Sequence, residues 1–217
     1  MQKAQQIRRD IINASYEAKA CHIGSALSCV DILVELFYEK KIHPTQFIFG
    51  KASGVCAYYA ILADLGFFPK KQLVEYLKKY PLPSTEVPGI MHSFGSVGHA
   101  LPVAVGMAFA KRDKEFHVLL SDGDLMEGST YEAALFIGQH ELDNLHVHCD
   151  DNAIIALDHT GAVLDLETAF EFFGKSIPNF HRHETVKGQG VDFMEDEVSW
   201  HYKNLTKQER DRALKQL

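Results

Sequence analysis

The spacing of hydrophobic residues changes several times along the chain, and each change predicts a different secondary-structure element. Near the N-terminus, apolar residues at Ile7, Ile11, Ile12, Ala14 and Ala18 recur at helical spacing, which predicts an amphipathic helix. Further helices are predicted over residues 26–40, 54–65, 70–79, 100–111, 130–142, 167–173 and 207–217. Three prolines between positions 81 and 88 predict a loop that continues to about residue 98.

Short runs of β-forming residues alternate with these helices. Residues 46–49, 116–120 and 145–149 predict strands, and residues 184–186 predict a fourth. The second and third runs flank a predicted helix, and a strand–helix–strand unit joins two parallel strands through a right-handed crossover. We therefore expect an α/β fold, with a mainly parallel sheet flanked by helices, in a single domain over residues 1–217.

Composition and charge exclude several classes of function. Hydrophobic residues make up 46% of the chain, and 22 basic residues face 29 acidic ones for a net charge of −7. This balance argues against nucleic-acid binding through a basic surface. The four cysteines lack C-x-x-C spacing, which indicates reduced thiols in a cytoplasmic protein. The polar N-terminus and the lack of a long apolar run predict neither a secretion signal nor a membrane segment.

Polar residues follow the two central predicted strands at the points where these strands end. Asp122 comes just after the first strand, and Asn152 just after the second. Because parallel strands end at the same edge of a sheet, we expect both side chains at one ligand-binding edge. Gly123 and Gly128 would let the backbone approach a ligand closely, and the following helix would point its N-terminus towards the same region.

One carboxylate, one amide oxygen and nearby carbonyls form an oxygen-only ligand set. Such a set suits Mg²⁺ or Ca²⁺ better than zinc, and Mg²⁺ completes its octahedron with phosphate oxygens and water. This chemistry predicts a metal-bridged diphosphate. The same residues also allow a purely structural interpretation, in which Asp122 caps a helix and Asn152 makes a turn.

Twelve histidines are many for a chain of this length. His146 and His148 alternate along one predicted strand and therefore share one face of the sheet, but no third zinc ligand is evident in the sequence. We assign them no ligand role at this stage.

Several segments together resemble the transketolase family. The run SDGDLMEGSTYEAALFIGQHELDN at 121–144, followed by DDNAI at 150–154, resembles its thiamine-diphosphate signature, which opens with Gly-Asp-Gly and closes with Asp-x-Asn-x-Ile. Segments 21–38, 95–112 and 185–202 resemble the family's Gly-His-Pro-Gly segment, glycine loop and C-terminal segment, in that order. The resemblance covers most of the chain and implies a three-layer thiamine-diphosphate-binding fold.

The resemblance also implies a cofactor site made of matching residues. Asp122 and Asn152 would bind Mg²⁺ or Ca²⁺ through side-chain oxygens, and Ile154 through its carbonyl. Gly123 would lie against the diphosphate of thiamine diphosphate. The cofactor, although anionic, would then need no basic surface.

Other matching residues would lie nearer the reacting atoms. Gly95 and Val97 match loop positions that pack on the aminopyrimidine and central part of the cofactor. His22 and His201 match catalytic histidines near the reacting centre and the diphosphate, and Glu127 matches a glutamate at the subunit interface that communicates between active sites. The residues alone also allow His22 to end a helix and His201 to be a packing residue.

The chain departs from the family pattern at four places. Ser121 replaces the first glycine of the signature, and Ser53 replaces a histidine that contacts cofactor phosphates and substrate. Serine can donate a hydrogen bond but cannot shuttle a proton at neutral pH. The loop at 80–90 lacks a His-Pro element, and the stretch between residues 173 and 183 lacks one strand–helix unit. These departures predict a bound cofactor with an altered substrate or reduced activity.

Only the diphosphate-binding half of the family's active site is matched. The resemblance implies a separate pyrimidine-binding subunit, an α2β2 assembly and transfer of a two-carbon ketol unit between sugars or sugar phosphates. Two alternatives stay open. The chain could belong to another thiamine-diphosphate enzyme, deoxyxylulose-phosphate synthase-like or 2-oxoacid-decarboxylating, or it could be a non-catalytic cofactor-binding or regulatory subunit.

Overall fold

The computed structural model describes residues 2–217, and its elements follow the predicted alternation of helices and strands. The helices are α1 (Gln2–Ala18), α2 (Ile23–Ser28), α3 (Val30–Val34), α4 (Val55–Asp64), α5 (Leu73–Lys79), α6 (Ala100–Ala110), α7 (Gly128–His140), α8 (Thr160–Val163), α9 (Glu167–Ser176) and α10 (Lys207–Gln216). The strands are β1 (Phe47–Phe49), β2 (Phe116–Ser121), β3 (Leu145–Asp151) and β4 (Asn179–Glu184). The helix predicted over 26–40 is divided at Cys29 and ends in a π-helical turn at Glu35–Glu39.

The four strands form one parallel sheet in the order β1-β2-β3-β4, which confirms the α/β class and the parallel sheet. The predicted position of the fourth strand is wrong, because β4 begins five residues earlier than residue 184. Five of the six residues of β4 are polar, so neither an apolar run nor an alternating pattern marks it in the sequence.

The two faces of the sheet carry different side chains. One face is apolar across β2 and β3 and packs against α6, α7 and α9, with Val118, Val147 and Phe173 at its centre. The other face is apolar only near β1, where Phe49 and Leu119 join the core formed by α1 to α4. Further along, towards β4, this second face becomes polar.

Candidate active site

A cavity of about 380 Å³ lies at the carboxyl edge of the sheet. Nine of the ten residues predicted for the site line it, and these are His22, Ser53, Gly95, Val97, Asp122, Gly123, Glu127, Ile154 and His201. A larger hollow of about 1100 Å³, near His43 and Lys111, contains none of them. The cavity at the strand ends is therefore the candidate site, as expected for a parallel sheet.

Asp122 is the most unusual carboxylate of this cavity. It is 2% exposed, and its Oδ1 atom accepts a hydrogen bond of 2.8 Å from the Gly123 amide. Its Oδ2 atom is buried and has no hydrogen-bond partner. Burial raises the pKa of Asp122 to about 6, against the opposing effect of Lys51. An unpaired buried oxygen of this kind is costly unless a ligand satisfies it.

Asn152 and Ile154 follow the end of β3. Ile154 lines the cavity together with Asp122, whereas Asn152 is the one predicted site residue that does not line it. The Asn152 Oδ1 atom accepts a hydrogen bond of 3.2 Å from the Ile154 amide, and its Nδ2 atom is buried without a partner. The Ile154 carbonyl accepts a bond of 2.9 Å from the Lys187 ammonium. This carbonyl already interacts with one cation, and a carbonyl oxygen has a second lone pair available.

The chemistry of the candidate ligands indicates whether a divalent ion would fit this cavity. Among residues 2–217, no three His, Cys, Asp or Glu side chains form a metal-holding group. The candidate ligands at the strand ends are instead one carboxylate, one amide and one carbonyl. The orphaned, buried carboxylate oxygen of Asp122, in a cavity also lined by Ile154, suits a hard, oxygen-ligated ion such as Mg²⁺ or Ca²⁺.

Two buried lysines balance the acidic edge. The Lys51 ammonium lies 2.7 Å from Asp150 Oδ2, and the two side chains are 3% and 0% exposed. Burial alone would lower the pKa of Lys51, but Asp150 and Asp122 outweigh it, so that this pKa is raised. Ser28 and Thr185 also donate hydrogen bonds to Asp150. The pair is thus embedded in a satisfied polar network.

Lys187 is fully buried and also lines the cavity. Its ammonium donates to the carbonyls of Ile154 and Ile155 at 2.9 and 2.8 Å and lies 3.1 Å from His201 Nδ1. Burial, together with the charge of Lys51, lowers the pKa of Lys187 to about 7. Near neutral pH this lysine can therefore exchange a proton with its surroundings.

His22 and His201 lie together at the mouth of the cavity. Their ring centroids are 4.8 Å apart, and the His22 amide donates a bond of 2.9 Å to the His201 carbonyl. Tyr202 contacts both rings. Burial and Lys187 lower the pKa of His22, and the same causes lower that of His201 to about 3. Both imidazoles are therefore neutral at pH 7, the state in which each ring has one N–H donor and one acceptor nitrogen.

Gly95, Val97 and Glu127 lie where the loop before α6 meets the start of α7. The Gly98 amide donates a bond of 2.7 Å to the buried carboxylate of Asp124. Gly98 has a φ of +81°, and a Cβ atom there would lie 2.6 Å from Glu127 Cβ. The loop thus depends on a glycine at 98 for both its conformation and its contact with Glu127.

Ser53 lies in the short 3₁₀ turn Ala52–Gly54, directly after β1. It lines the cavity together with Lys51 and His22. The residue predicted to replace a family histidine is therefore at the cavity wall.

Lys51 and Lys187 were not predicted as site residues. Both follow strand ends, Lys51 two residues after β1 and Lys187 three residues after β4. The rule that selected Asp122 and Asn152 therefore applies to the lysines as well, and it could have identified them.

A parallel sheet with a buried, unpartnered carboxylate oxygen at its carboxyl edge is typical of an α/β domain that binds a ligand at this edge. Residues 1–187 match the family model described as "Transketolase, thiamine diphosphate binding domain". The chain belongs to this family.

Relatives and solved structures agree with this assignment. The chain is 33% identical to a subunit of the apulose-4-phosphate transketolase of Actinobacillus succinogenes, over 99% of this chain and 94% of the relative. It is 31% identical to the protein of the same name from Phocaeicola vulgatus, over 99% and 92%. Its fold matches a transketolase from Campylobacter jejuni with a TM-score of 0.86 and 22% identity, over 99% of this chain and 42% of that one.

The relatives are longer within the aligned region. The alignment with the Actinobacillus succinogenes protein extends over 262 residues, whereas this chain has 217 residues. At least 45 residues of the relative therefore have no counterpart here, which is enough to include the strand–helix unit predicted to be missing. Within residues 2–217, no helix is both long and apolar enough to cross a bilayer.

Proposed function

We propose that the chain is the diphosphate-binding subunit of a split, thiamine-diphosphate-dependent transketolase. With a pyrimidine-binding partner subunit it would transfer a two-carbon ketol unit between sugars or sugar phosphates. The observation that carries the proposal is the buried, unpartnered Oδ2 atom of Asp122, which lies at a strand end beside Ile154.

The metal would be held by the oxygens at the ends of β2 and β3. Asp122 would supply a carboxylate oxygen, Asn152 an amide oxygen and Ile154 its carbonyl. Mg²⁺ takes few protein ligands and is completed by phosphate oxygens and water. The protein-side ligands therefore need to be few, as they are here.

The remaining charges of the cavity fit an anionic ligand. Lys51 and Lys187 would offset the diphosphate charge, and Gly123 would lie against it. Gly95 and Val97 would pack on the rest of the cofactor. Bound thiamine diphosphate would supply the carbanion chemistry of ketol transfer.

Two neutral histidines would interact with the hydroxyl groups of the substrate and their protons. His22 and His201 lie together in the cavity and have lowered pKa values, so both rings are neutral near pH 7 and can form hydrogen bonds with a sugar hydroxyl. A pKa of about 3 makes His201 a poor base, so His22 is the candidate for accepting the proton. Lys187 holds His201 through Nδ1. Glu127 would lie at the contact with a neighbouring subunit, where it would couple the active sites.

The partner is proposed from the relatives. Two proteins that this chain covers over more than nine-tenths of their length carry names that make each of them one subunit of a transketolase. We propose an α2β2 assembly in the cytoplasm that acts on a ketose or ketose phosphate. Ser53, in place of the family histidine, supports a substrate different from that of full-length transketolases.

Calorimetric titration of thiamine diphosphate into the chain with its partner, with and without Mg²⁺, tests the cofactor site. We expect binding that requires Mg²⁺ and that is lost in Asp122→Asn, whereas the exposed loop variant Asp158→Asn binds normally. An absence of Mg²⁺-dependent binding with the partner present would refute the proposal.

A ketol-transfer assay tests the split. We expect turnover only when the chain is co-expressed with a pyrimidine-domain subunit. Turnover by this chain alone would refute the need for a second subunit. Mg²⁺-dependent binding without ketol transfer, for every sugar tested, would favour the non-catalytic alternative that the loss of the histidine at position 53 also supports.

A further inference from the structure

Five histidines line one face of the sheet away from the cavity. They are His117 on β2, His146 and His148 on β3, and His181 and His183 on β4. The strand register places His117 opposite His146, and His148 opposite His181. We call this group the histidine ladder. It includes the two residues that the sequence places on one face of a single strand.

The rings of the ladder are in direct contact. His117 Nδ1 lies 3.2 Å from His148 Nε2, and His148 Nδ1 lies 3.0 Å from His183 Nε2. The ring centroids of His117 and His146 are 4.6 Å apart, and those of His148 and His181 are 4.8 Å apart. His148 is 1% exposed. The ladder therefore joins β2, β3 and β4 through imidazole contacts.

Neutral imidazoles suit this arrangement and charged ones do not. A neutral ring has one N–H donor and one acceptor, so hydrogen bonds can pass along the chain of rings in a single direction. A second proton in the ladder would place like charges about 5 Å apart in a partly buried site, where repulsion is strong. In the part of the chain that the structure describes, no ladder residues form a metal-holding group. Adding protons is therefore the change that the folded ladder tolerates least.

Few charges lie near the ladder to compensate a proton. Glu115 accepts a hydrogen bond of 2.7 Å from His146 at the outer end. The other charged groups facing the ladder are Glu35, Lys40 and Asp150, and both Asp31 and Glu184 border the groove beside His183. Asp150 is already paired with Lys51. No carboxylate bonds to the inner rings of His117 and His148 in the described residues.

We propose that the histidine ladder is a pH-sensitive element that holds β4 on the sheet at neutral pH and releases it on acidification. β4 is an edge strand, paired on one side only, and its ladder residues face those of β3. Protonation would therefore act across the β3–β4 boundary.

Release of β4 would reach the cavity. The chain leaves β4 directly into Thr185, which donates a hydrogen bond to Asp150, and into Lys187, which donates to Ile154. Both contacts depend on the position of the end of β4. The ladder thus links the protonation of one sheet face to the order of the candidate active site.

The shifts in pKa have the sign that this mechanism requires. Burial and neighbouring histidines lower the pKa of His117 to about 4 and that of His148 to about 2. Burial likewise lowers the pKa values of His181 and His183. As the pH falls through about 6.5, the unfolded chain takes up protons that the folded ladder refuses, so stability is lost in this window. His117 and His148, whose folded-state pKa values lie well below 5.5, each increase the unfolding constant about tenfold between pH 7.5 and 5.5.

Urea unfolding at pH 7.5 and 5.5 tests the ladder with matched variants. His148→Gln removes one titrating ring and keeps a hydrogen-bonding side chain. We expect the rise in its unfolding constant between the two pH values to be about tenfold smaller than in the wild type. His159→Gln, at an exposed histidine outside the ladder, should behave as the wild type. An equal rise in wild type and His148→Gln would overturn the proposal.

Two measurements on the wild-type chain keep the test decisive if His148→Gln does not fold. Ring-nitrogen NMR should show His117 and His148 still neutral at pH 5.5, and titration of these rings near pH 6.5 would contradict the proposal. Hydrogen exchange, corrected for its intrinsic pH dependence, should show at least about a tenfold greater loss of protection at pH 5.5 for β4 amides than for β1 amides. A uniform loss across the sheet would show that β4 is not released selectively.

Discussion

Two buried polar clusters lie along the same sheet and avoid the cost of buried charge in different ways. At the cavity, Lys51 and Asp150 are both charged and paired at 2.7 Å. In the ladder, His148 is buried to a similar degree and is kept neutral by its surroundings. Removal of one partner destabilises a charge-paired cluster, whereas addition of a proton destabilises a neutral cluster. Substitution of one partner should therefore destabilise the Lys51–Asp150 pair, whereas acidification should destabilise the histidine ladder.

Lys51→Met should have the largest effect, because it leaves Asp150 charged and unpaired in the interior. We expect the free energy of unfolding at pH 7.5 to fall by about 3–5 kcal/mol, measured by urea denaturation. The exposed variant Lys71→Met should change it by less than about 0.5 kcal/mol. Adding Asp150→Asn to Lys51→Met should recover a large part of the loss, and no recovery would show that the pair is not the source of the effect.

Asp122→Asn should act in the opposite direction. The pKa of this carboxyl is raised to about 6 by burial, so its ionised form destabilises the folded chain. This penalty is absent below about pH 3.8, where both states are protonated, and is complete above about pH 6. At pH 7.5 without added metal we expect unfolding to cost up to about 3 kcal/mol more in the variant. The difference should disappear at about pH 3.

The same substitution should abolish Mg²⁺-dependent binding, so that greater stability and loss of function occur together. Asp158→Asn should change neither quantity. If Asp122→Asn is less stable than the wild type at pH 7.5, Asp122 is a structural residue. This result would agree with the alternative interpretation, in which Asp122 caps a helix.

The sequence predicts the apolar helices and strands of this fold far better than it predicts the two polar clusters. Most of the helices and the first three strands follow from periodicity, since their apolar residues face a core, whereas the short helix α8 was not predicted. β4 is polar at five of six positions, and its pairing with β3 depends on contacts distant in sequence. For the same reason, only His146 and His148 could be assigned to a common face of the sheet from the sequence. The other ladder histidines lie on neighbouring strands, and their proximity depends on the order in which the strands pair.

The candidate site is predicted in part for a related reason. Strand ends indicate Asp122 and Asn152, and the family resemblance supplies His22 and His201. The burial of Lys51 and Lys187 depends on tertiary packing, because an isolated lysine in a sequence is most often an exposed side chain. The buried charge pairing of Lys51 can therefore be recognised only when the three-dimensional arrangement of the strands is known.

Thr185 joins the two clusters, and its substitution should have the smallest of these effects. Its hydroxyl donates a hydrogen bond to Asp150, and it follows β4 directly. Because Asp150 keeps Lys51 and Ser28 as partners, we expect Thr185→Val to lower the free energy of unfolding by about 1.5 kcal/mol. Thr185→Ser keeps the hydroxyl and should retain most of the stability. If Thr185→Val also weakens Mg²⁺-dependent binding of thiamine diphosphate while Thr185→Ser does not, the end of β4 controls the cavity. Unchanged binding in both variants would restrict the influence of β4 to stability.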